Sequence, residues 1–293
     1  MEAISKITTT DFMEILGKTG DIFTPILEGR RAIIAETAKE TFQFGPTERH
    51  KLDVYYPPEG TSNAPILFFV YGGGFVSGSR NRLPGIYFDN IGAFYAKRGV
   101  LTVIADYRLA PATQYPGPVE DIRDAIRFVL SSSEVNITAK GADVNQVFIM
   151  GHSAGATHTS TLFLNESILD DKDRANIKGT ILVAGSYSGG PMSSPYYGEV
   201  DHFSKTPIGL LETKSLETIQ KLLPPKVLIL IGDLDPHLWE TGLLFEAKLK
   251  EKGVQFDKEI LKGHNHFSLE FCPSSGEGEE FAENIVTYIK GST

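Results

Sequence analysis

Eight short runs rich in apolar, β-branched and aromatic residues recur along the chain: ETFQF (40–44), KLDVYY (51–56), PILFFVY (65–71), VLTVIADY (100–107), QVFIMG (146–151), KGTILVAG (178–185), KVLILIG (226–232) and VQFDKEIL (254–261). The central runs are continuously apolar, as strands buried on both faces must be, and such strands belong to parallel sheets. The first two runs are joined by GPTER (45–49), which predicts an edge hairpin. Between the runs, PVEDIRDAIRFVLSS (118–132) enters on proline, carries acids in its first turn and repeats apolar residues at helical spacing. EEFAENIVTYIK (279–290) is amphipathic in the same way. The pattern predicts an α/β fold: a mostly parallel central sheet, mixed at its edge, with helices on both faces.

Two segments break this alternation. Residues 1–40 read as helical and partly apolar, and residues 186–225 are dense in Gly, Ser, Pro and aromatics. A long irregular insertion in an α/β domain is more often a lid or a binding loop than a second fold. The expected organisation is an N-terminal helical segment (1–40) forming part of a lid, then one domain over 41–293 with a variable cap at about 186–225.

The chain has 293 residues, 41% hydrophobic and 22% charged, which suits one large α/β domain. A net charge of -9, with 37 acidic against 28 basic residues, excludes nucleic acid and anionic membranes as expected partners. The single Cys272 excludes an intrachain disulfide and fits a reducing compartment. MEAISKITTTDFMEIL at the N-terminus lacks the apolar core of a secretory signal, and no apolar run reaches membrane-spanning length. A cytoplasmic protein with no integral membrane segment is expected.

The chemistry begins at VFIMGHSAGA (147–156), where Gly-x-Ser-x-Gly ends a strand and opens a helix. Such a turn exposes a serine hydroxyl at the strand's C-terminal end, which makes Ser153 a candidate nucleophile. In this arrangement the acid and then the histidine follow the serine in the chain. That order sets aside His50, His152, His158, His202 and His237 and leaves His264 and His266 in KGHNHFSLEF (262–271). His266, placed just before Phe267, is preferred as the base, with His264 a competitor that sequence does not eliminate. LILIGDLDPHLW (228–239) offers Asp233 and Asp235; Asp235 is taken as the acid orienting the imidazole, and Asp233 as a residue bonding the turn backbone. VYGGGF (70–75) supplies glycine amides that can approach an oxyanion, joined by the amide of Ala154. No Gly-Lys-Ser/Thr follows the glycines, which argues against a phosphate loop.

With YGGGF, DYRLAPATQYPGPVEDIRDAIRFV, GHSAGA, GDLDP and GHNHFS in this order, the chain resembles the α/β-hydrolase superfamily, especially the hormone-sensitive-lipase-like and kynurenine-formamidase-like carboxylesterases, over about residues 40–290. The resemblance implies an α/β-hydrolase fold with Ser153 as nucleophile, Asp235 as acid, His266 as base, and Gly73, Gly74 and Ala154 as the oxyanion hole. Asp106–Pro111 matches a family segment and looks structural. Tyr71 stands where the family usually has a histidine, so its hydroxyl either braces the glycine loop or reaches into the pocket. Phe75, Tyr187, Met192, Tyr196, Tyr197 and His264 are the remaining candidates for substrate contact.

The expectation is a serine carboxylesterase acting on small or medium esters, with no metal or organic cofactor. A homodimer is an expectation carried by the family alone. Two rival readings use the same residues differently. One is a biosynthetic acyltransferase or lactone-forming cyclase from which water is excluded; the other is a non-catalytic ligand-binding protein on a hydrolase scaffold.

Overall fold

The computed structural model describes residues 1–190 and 193–291. Eight strands form one sheet: β1 (Lys39–Gln43), β2 (Lys51–Tyr55), β3 (Ala64–Val70), β4 (Leu101–Ala105), β5 (Ala142–His152), β6 (Ile177–Val183), β7 (Lys226–Gly232) and β8 (Asp257–Leu261). Their order is β1-β2-β4-β3-β5-β6-β7-β8. β1 and β2 pair antiparallel, as the GPTER hairpin predicts, and β2 pairs antiparallel with β4; every other pairing is parallel.

Alternate residues of the inner strands feed two separate cores. In β7, Leu228 and Leu230 join a core that includes Phe281, Ile285 and Ile289 of the C-terminal helix, whereas Val227, Ile229 and Ile231 join one that includes Phe245 and Leu249 of the helix Trp239–Glu251. The period-2 alternation of a strand thus buries both faces of the sheet, each beneath helices.

Register decides where chemistry can be placed. Val70 of β3 pairs with Gly151 of β5, His152 of β5 with Val183 of β6, and Gly232 of β7 with Leu261 of β8. The C-terminal ends of β3, β5, β7 and β8 therefore open on one edge of the sheet, the edge at which open α/β sheets carry their sites. The glycine run, Ser153, Asp235 and His266 all follow these ends.

The N-terminal segment is helical. Its main helix, Phe12–Gly29, is capped by Asp11, whose carboxylate accepts the Glu14 amide at 2.8 Å, and it buries Ile15, Thr19, Phe23 and Leu27, one residue per turn on a single face. That face meets the loop after β8: Asn265 Nδ2 donates to Thr19 Oγ1 at 2.8 Å. The Phe12 ring lies 5.2 Å from the His266 ring and 4.8 Å from that of Phe267.

Residues 186–225 are less irregular than their composition suggests. Within them lie the short helices Ser194–Tyr197, Pro207–Glu212 and Leu216–Leu222. Thr206 and Ser215 cap the latter two by accepting the amides of Gly209 and Thr218. Each run is shorter than two helical turns, too short for apolar periodicity to register.

Candidate active site

β5 ends at His152 and a helix, Ala154–Leu164, begins two residues later, so Ser153 alone makes the turn. It does so at φ 56°, ψ -124°, a conformation costly for a residue with a side chain. Two close approaches hold it there. A Cβ on Gly155 would lie 2.0 Å from the Val70 carbonyl oxygen, and a Cβ on Gly72 would lie 2.7 Å from Ser153 Cβ. Glycine at both positions lets the loop after β3 lie directly against the serine. The loop continues through Gly73 and Gly74, both at positive φ (133° and 60°). Ala154 opens the helix, so its amide has no intrahelical acceptor.

Across the sheet edge, His266 Nδ1 lies 2.8 Å from Asp235 Oδ2, with both residues 2% exposed. Asp235 Oδ1 accepts the backbone amides of His237 and Leu238 at 3.2 and 3.1 Å. Burial pushes the Asp235 carboxyl up, but the neighbouring His266 and these hydrogen bonds hold it below the usual carboxylate range. A carboxylate only accepts, so His266 Nδ1 carries the proton and Nε2 presents a lone pair. Nε2 is buried and has no hydrogen-bond partner among the described residues.

The neighbouring candidates have structural partners. Asp233 accepts the Gly263 amide at 2.8 Å, tying the two site loops together. His264, a candidate for substrate contact, instead braces its loop: Nδ1 lies 3.2 Å from Ser268 Oγ, its ring meets Phe281 edge-on at 5.1 Å, and its carbonyl accepts the Leu234 amide.

Burial pulls the His264 pKa down to about 4 and that of fully buried His158 down to about 3. An unfolded histidine takes up its proton near pH 6.5, whereas these two stay neutral in the folded chain until about pH 4 and 3. Both stabilising contributions are therefore complete above pH 6.5 and erode as pH falls toward those folded values. At pH 5 the loss is about 2 kcal/mol per histidine. A thermal melt at pH 5 should fall several degrees below one at pH 7.5, and His158→Leu should shrink that gap.

Tyr71 is likewise a brace and not a pocket residue. Its ring, fully buried, stacks on Tyr107 at 4.8 Å. Its hydroxyl donates to Asp106 Oδ1 at 2.7 Å and accepts from Arg49 Nη2 at 2.8 Å. Asp106 also accepts the amide and guanidinium of Arg80, both at 2.6 Å. This buried network holds the root of the glycine loop. Tyr71→Phe leaves Asp106 one donor short and should lower stability by about 1–3 kcal/mol, readable as a shift in denaturant midpoint at constant slope.

Phe75, Tyr196 and Tyr197 cluster with Ala110 and Ala154, the neighbour of Ser153; the Phe75 and Tyr196 rings stack at 4.7 Å. Tyr187 does not join them. It stacks on Phe245 at 4.1 Å in the core beneath the helix Trp239–Glu251, where Thr241 Oγ1 accepts its backbone amide at 2.9 Å, and its assignment to the pocket is corrected accordingly. Met192 lies outside the described residues. A cleft of about 430 Å³ runs between residues 4–15 and 233–240, touching Asp235 from behind; neither Ser153 nor His266 lines it.

Chain order drew attention away from His152, yet its ring lies 4.6 Å from that of His266 and its Nδ1 2.8 Å from Glu270 Oε1. These partners are separated by 114 and 118 residues, so no spacing rule signals them.

A strained serine between strand and helix, on the same C-terminal edge of a mostly parallel sheet as a buried imidazole–carboxylate pair, is the arrangement of an α/β-hydrolase fold. The fold is that of the α/β-hydrolase esterases. Residues 52–187 match the BD-FAE family model. The chain is 27% identical over 269 residues to the probable isoprenylcysteine alpha-carbonyl methylesterase ICMEL1 of Oryza sativa subsp. japonica, a match covering 84% of this chain and 61% of that protein. It thus spans about three-fifths of the length of that relative. With probable carboxylesterase 7 of Arabidopsis thaliana it shares 26% identity over 288 residues, covering 83% of this chain and 84% of the other. The hyperthermophilic esterase of the archaeon Pyrobaculum calidifontis has the same fold, with a TM-score of 0.68 at 22% identity over 93% of each chain. Among the described residues no helix is long and apolar enough to cross a membrane.

Proposed function

We propose that the protein is a serine carboxylesterase that cleaves small or medium carboxylic esters through an acyl-serine intermediate. The observation that carries this reading is the buried 2.8 Å His266–Asp235 pair with its unpartnered Nε2, on the same sheet edge as the strained Ser153. Ser153 Oγ attacks the ester carbonyl while His266 Nε2 takes its proton, and Asp235 stabilises the imidazolium that forms. The amides of Gly73, Gly74 and Ala154 hold the oxyanion. His266 then protonates the departing alcohol, and water, activated by the same imidazole, releases the acid.

Phe75, Tyr196 and Tyr197 form one wall of the acyl or alcohol pocket, and the N-terminal segment covers the base loop as part of a lid. The names of the plant relatives support ester hydrolysis over the acyltransferase, cyclase and non-catalytic readings. The free, buried Cys272 supports a reducing, cytoplasmic setting, and the net charge of -9 argues against nucleic acid as a partner. A homodimer through a sheet edge, at β1 or β8, remains the family's contribution.

The test is release of p-nitrophenol from acetyl through octanoyl esters. Turnover with a maximum at one chain length is expected, and its position measures the pocket. No turnover of any ester, from protein with a normal melt, contradicts the reading.

A further inference from the structure

Behind the proposed base lies a second imidazole–carboxylate pair that the hydrolytic scheme leaves idle. His152 is the last residue of β5 and is 2% exposed. Its Nδ1 lies 2.8 Å from Glu270 Oε1, and its Nε2 lies 2.9 Å from the carbonyl oxygen of His266. Glu270 sits four residues after His266 in the short helix Ser268–Phe271, whose backbone is held from the other side: Asn90 Nδ2 donates to the carbonyls of Glu270 and Pro273 at 2.8 and 3.0 Å. Arg82 Nη1 approaches the second carboxylate oxygen at 4.0 Å.

The proton inventory follows from the partners. A carbonyl oxygen only accepts, so His152 Nε2 carries a hydrogen and donates it to the His266 backbone. One further proton lies between Nδ1 and the Glu270 carboxyl. Burial pushes that carboxyl up, but His152, Arg82 and His266 together bring it below its usual range. Both ring nitrogens of His152 are thereby engaged, and the ring cannot turn without breaking a buried hydrogen bond.

We infer that His152 and Glu270 are positioning residues that fix the separation of the nucleophile and its base. Ser153 hangs on β5 and His266 follows β8, with β6 and β7 between them. The bond from His152 to the His266 carbonyl bridges that gap in one step, joining the residue before the serine to the backbone of the base. Errors of about 1 Å in such a separation cost on the order of 10²-fold in rate. The clamp needs a donor at Nε2, not a charge at residue 270, because a glutamine there can donate to Nδ1 and leave Nε2–H in place.

The inference rests on the serine-hydrolase reading, and labelling by a fluorophosphonate probe separates the two. His152→Asn keeps an amide near Glu270 but cannot reach the His266 carbonyl. It should slow the maximal labelling rate about tenfold to a hundredfold with half-saturation within about twofold of the parent. Glu270→Ala, which leaves Nδ1 without its partner, should slow the rate in the same way, and Glu270→Gln, which can still donate to Nδ1, should recover most of that loss. If the parent does not label at Ser153, the hydrolase reading fails. If the parent labels and His152→Asn labels equally fast, or His152→Asn and Glu270→Ala lose affinity and not rate, the positioning role is overturned. Should His152→Asn not fold, nitrogen-15 NMR of the parent decides. A slowly exchanging His152 Nε2 proton coupled to the His266 carbonyl supports the clamp, and an unprotonated Nε2 overturns it.

Discussion

Ser153→Ala should lower kcat on p-nitrophenyl esters by roughly 10⁶-fold while leaving KM within a few-fold. Removing the hydroxyl removes the atom that becomes the ester, and neither His266 nor the glycine loop supplies a substitute. Such proteins keep about 10³–10⁴-fold catalysis over water, from binding and oxyanion stabilisation alone. The fold should tolerate the change: alanine bears the same Cβ at φ 56°, and the Ser153 amide still donates to the Val183 carbonyl at 2.9 Å. A melt superimposable on that of the parent would therefore accompany the loss. Turnover within about tenfold of the parent would mean that another residue attacks the ester.

Asp235→Asn should cost about 10⁴-fold in kcat, for a reason visible in the hydrogen bonds. Oδ1 accepts two backbone amides, from His237 and Leu238, so an asparagine must turn its carbonyl oxygen to that side. Its NH₂ then faces His266 Nδ1 across what is now a 2.8 Å contact. Two donors cannot face each other, so Nδ1 gives up its hydrogen and Nε2 takes one. The lone pair that would receive the serine proton disappears, while the geometry stays close to native. Steady-state kinetics beside a crystal structure of the variant test this directly: an unchanged loop with full activity contradicts the assigned tautomer.

The sheet was legible because parallel strands buried on both faces are apolar at every position. The central runs have that character, the outer ones at β1 and β8 are largely exposed or half-buried, and all eight runs stand at strands with ends displaced by a few residues, most at β5, which begins at Ala142, and at β8, which begins at Asp257. The short helices of residues 186–225 were not legible, since each is shorter than two turns and shows no periodic face, and two of them rest on local caps from Thr206 and Ser215.

Ser153 stood out because a single turn carries its whole signal: strand, Gly-x-Ser-x-Gly, helix. The choice between His264 and His266 could not be read from a loop in which both occur. In the structure it is His266 Nδ1 that meets Asp235, while His264 turns to Ser268 and Phe281. Tyr71 was open for a related reason: its hydroxyl partners, Arg49 and Asp106, lie 22 and 35 residues away and meet only in the folded chain. Tyr187, Tyr196 and Tyr197 look alike in composition, yet Tyr187 packs on Phe245 while Tyr196 and Tyr197 pack around Phe75, contacts that meet only in the folded chain.

Intact-protein mass spectrometry after treatment with a fluorophosphonate, followed by peptide mapping, tests the acyl-serine mechanism most directly. One adduct per chain on the peptide containing Ser153, absent from Ser153→Ala, is the predicted result. No adduct on folded protein, or an adduct on any other residue, contradicts it.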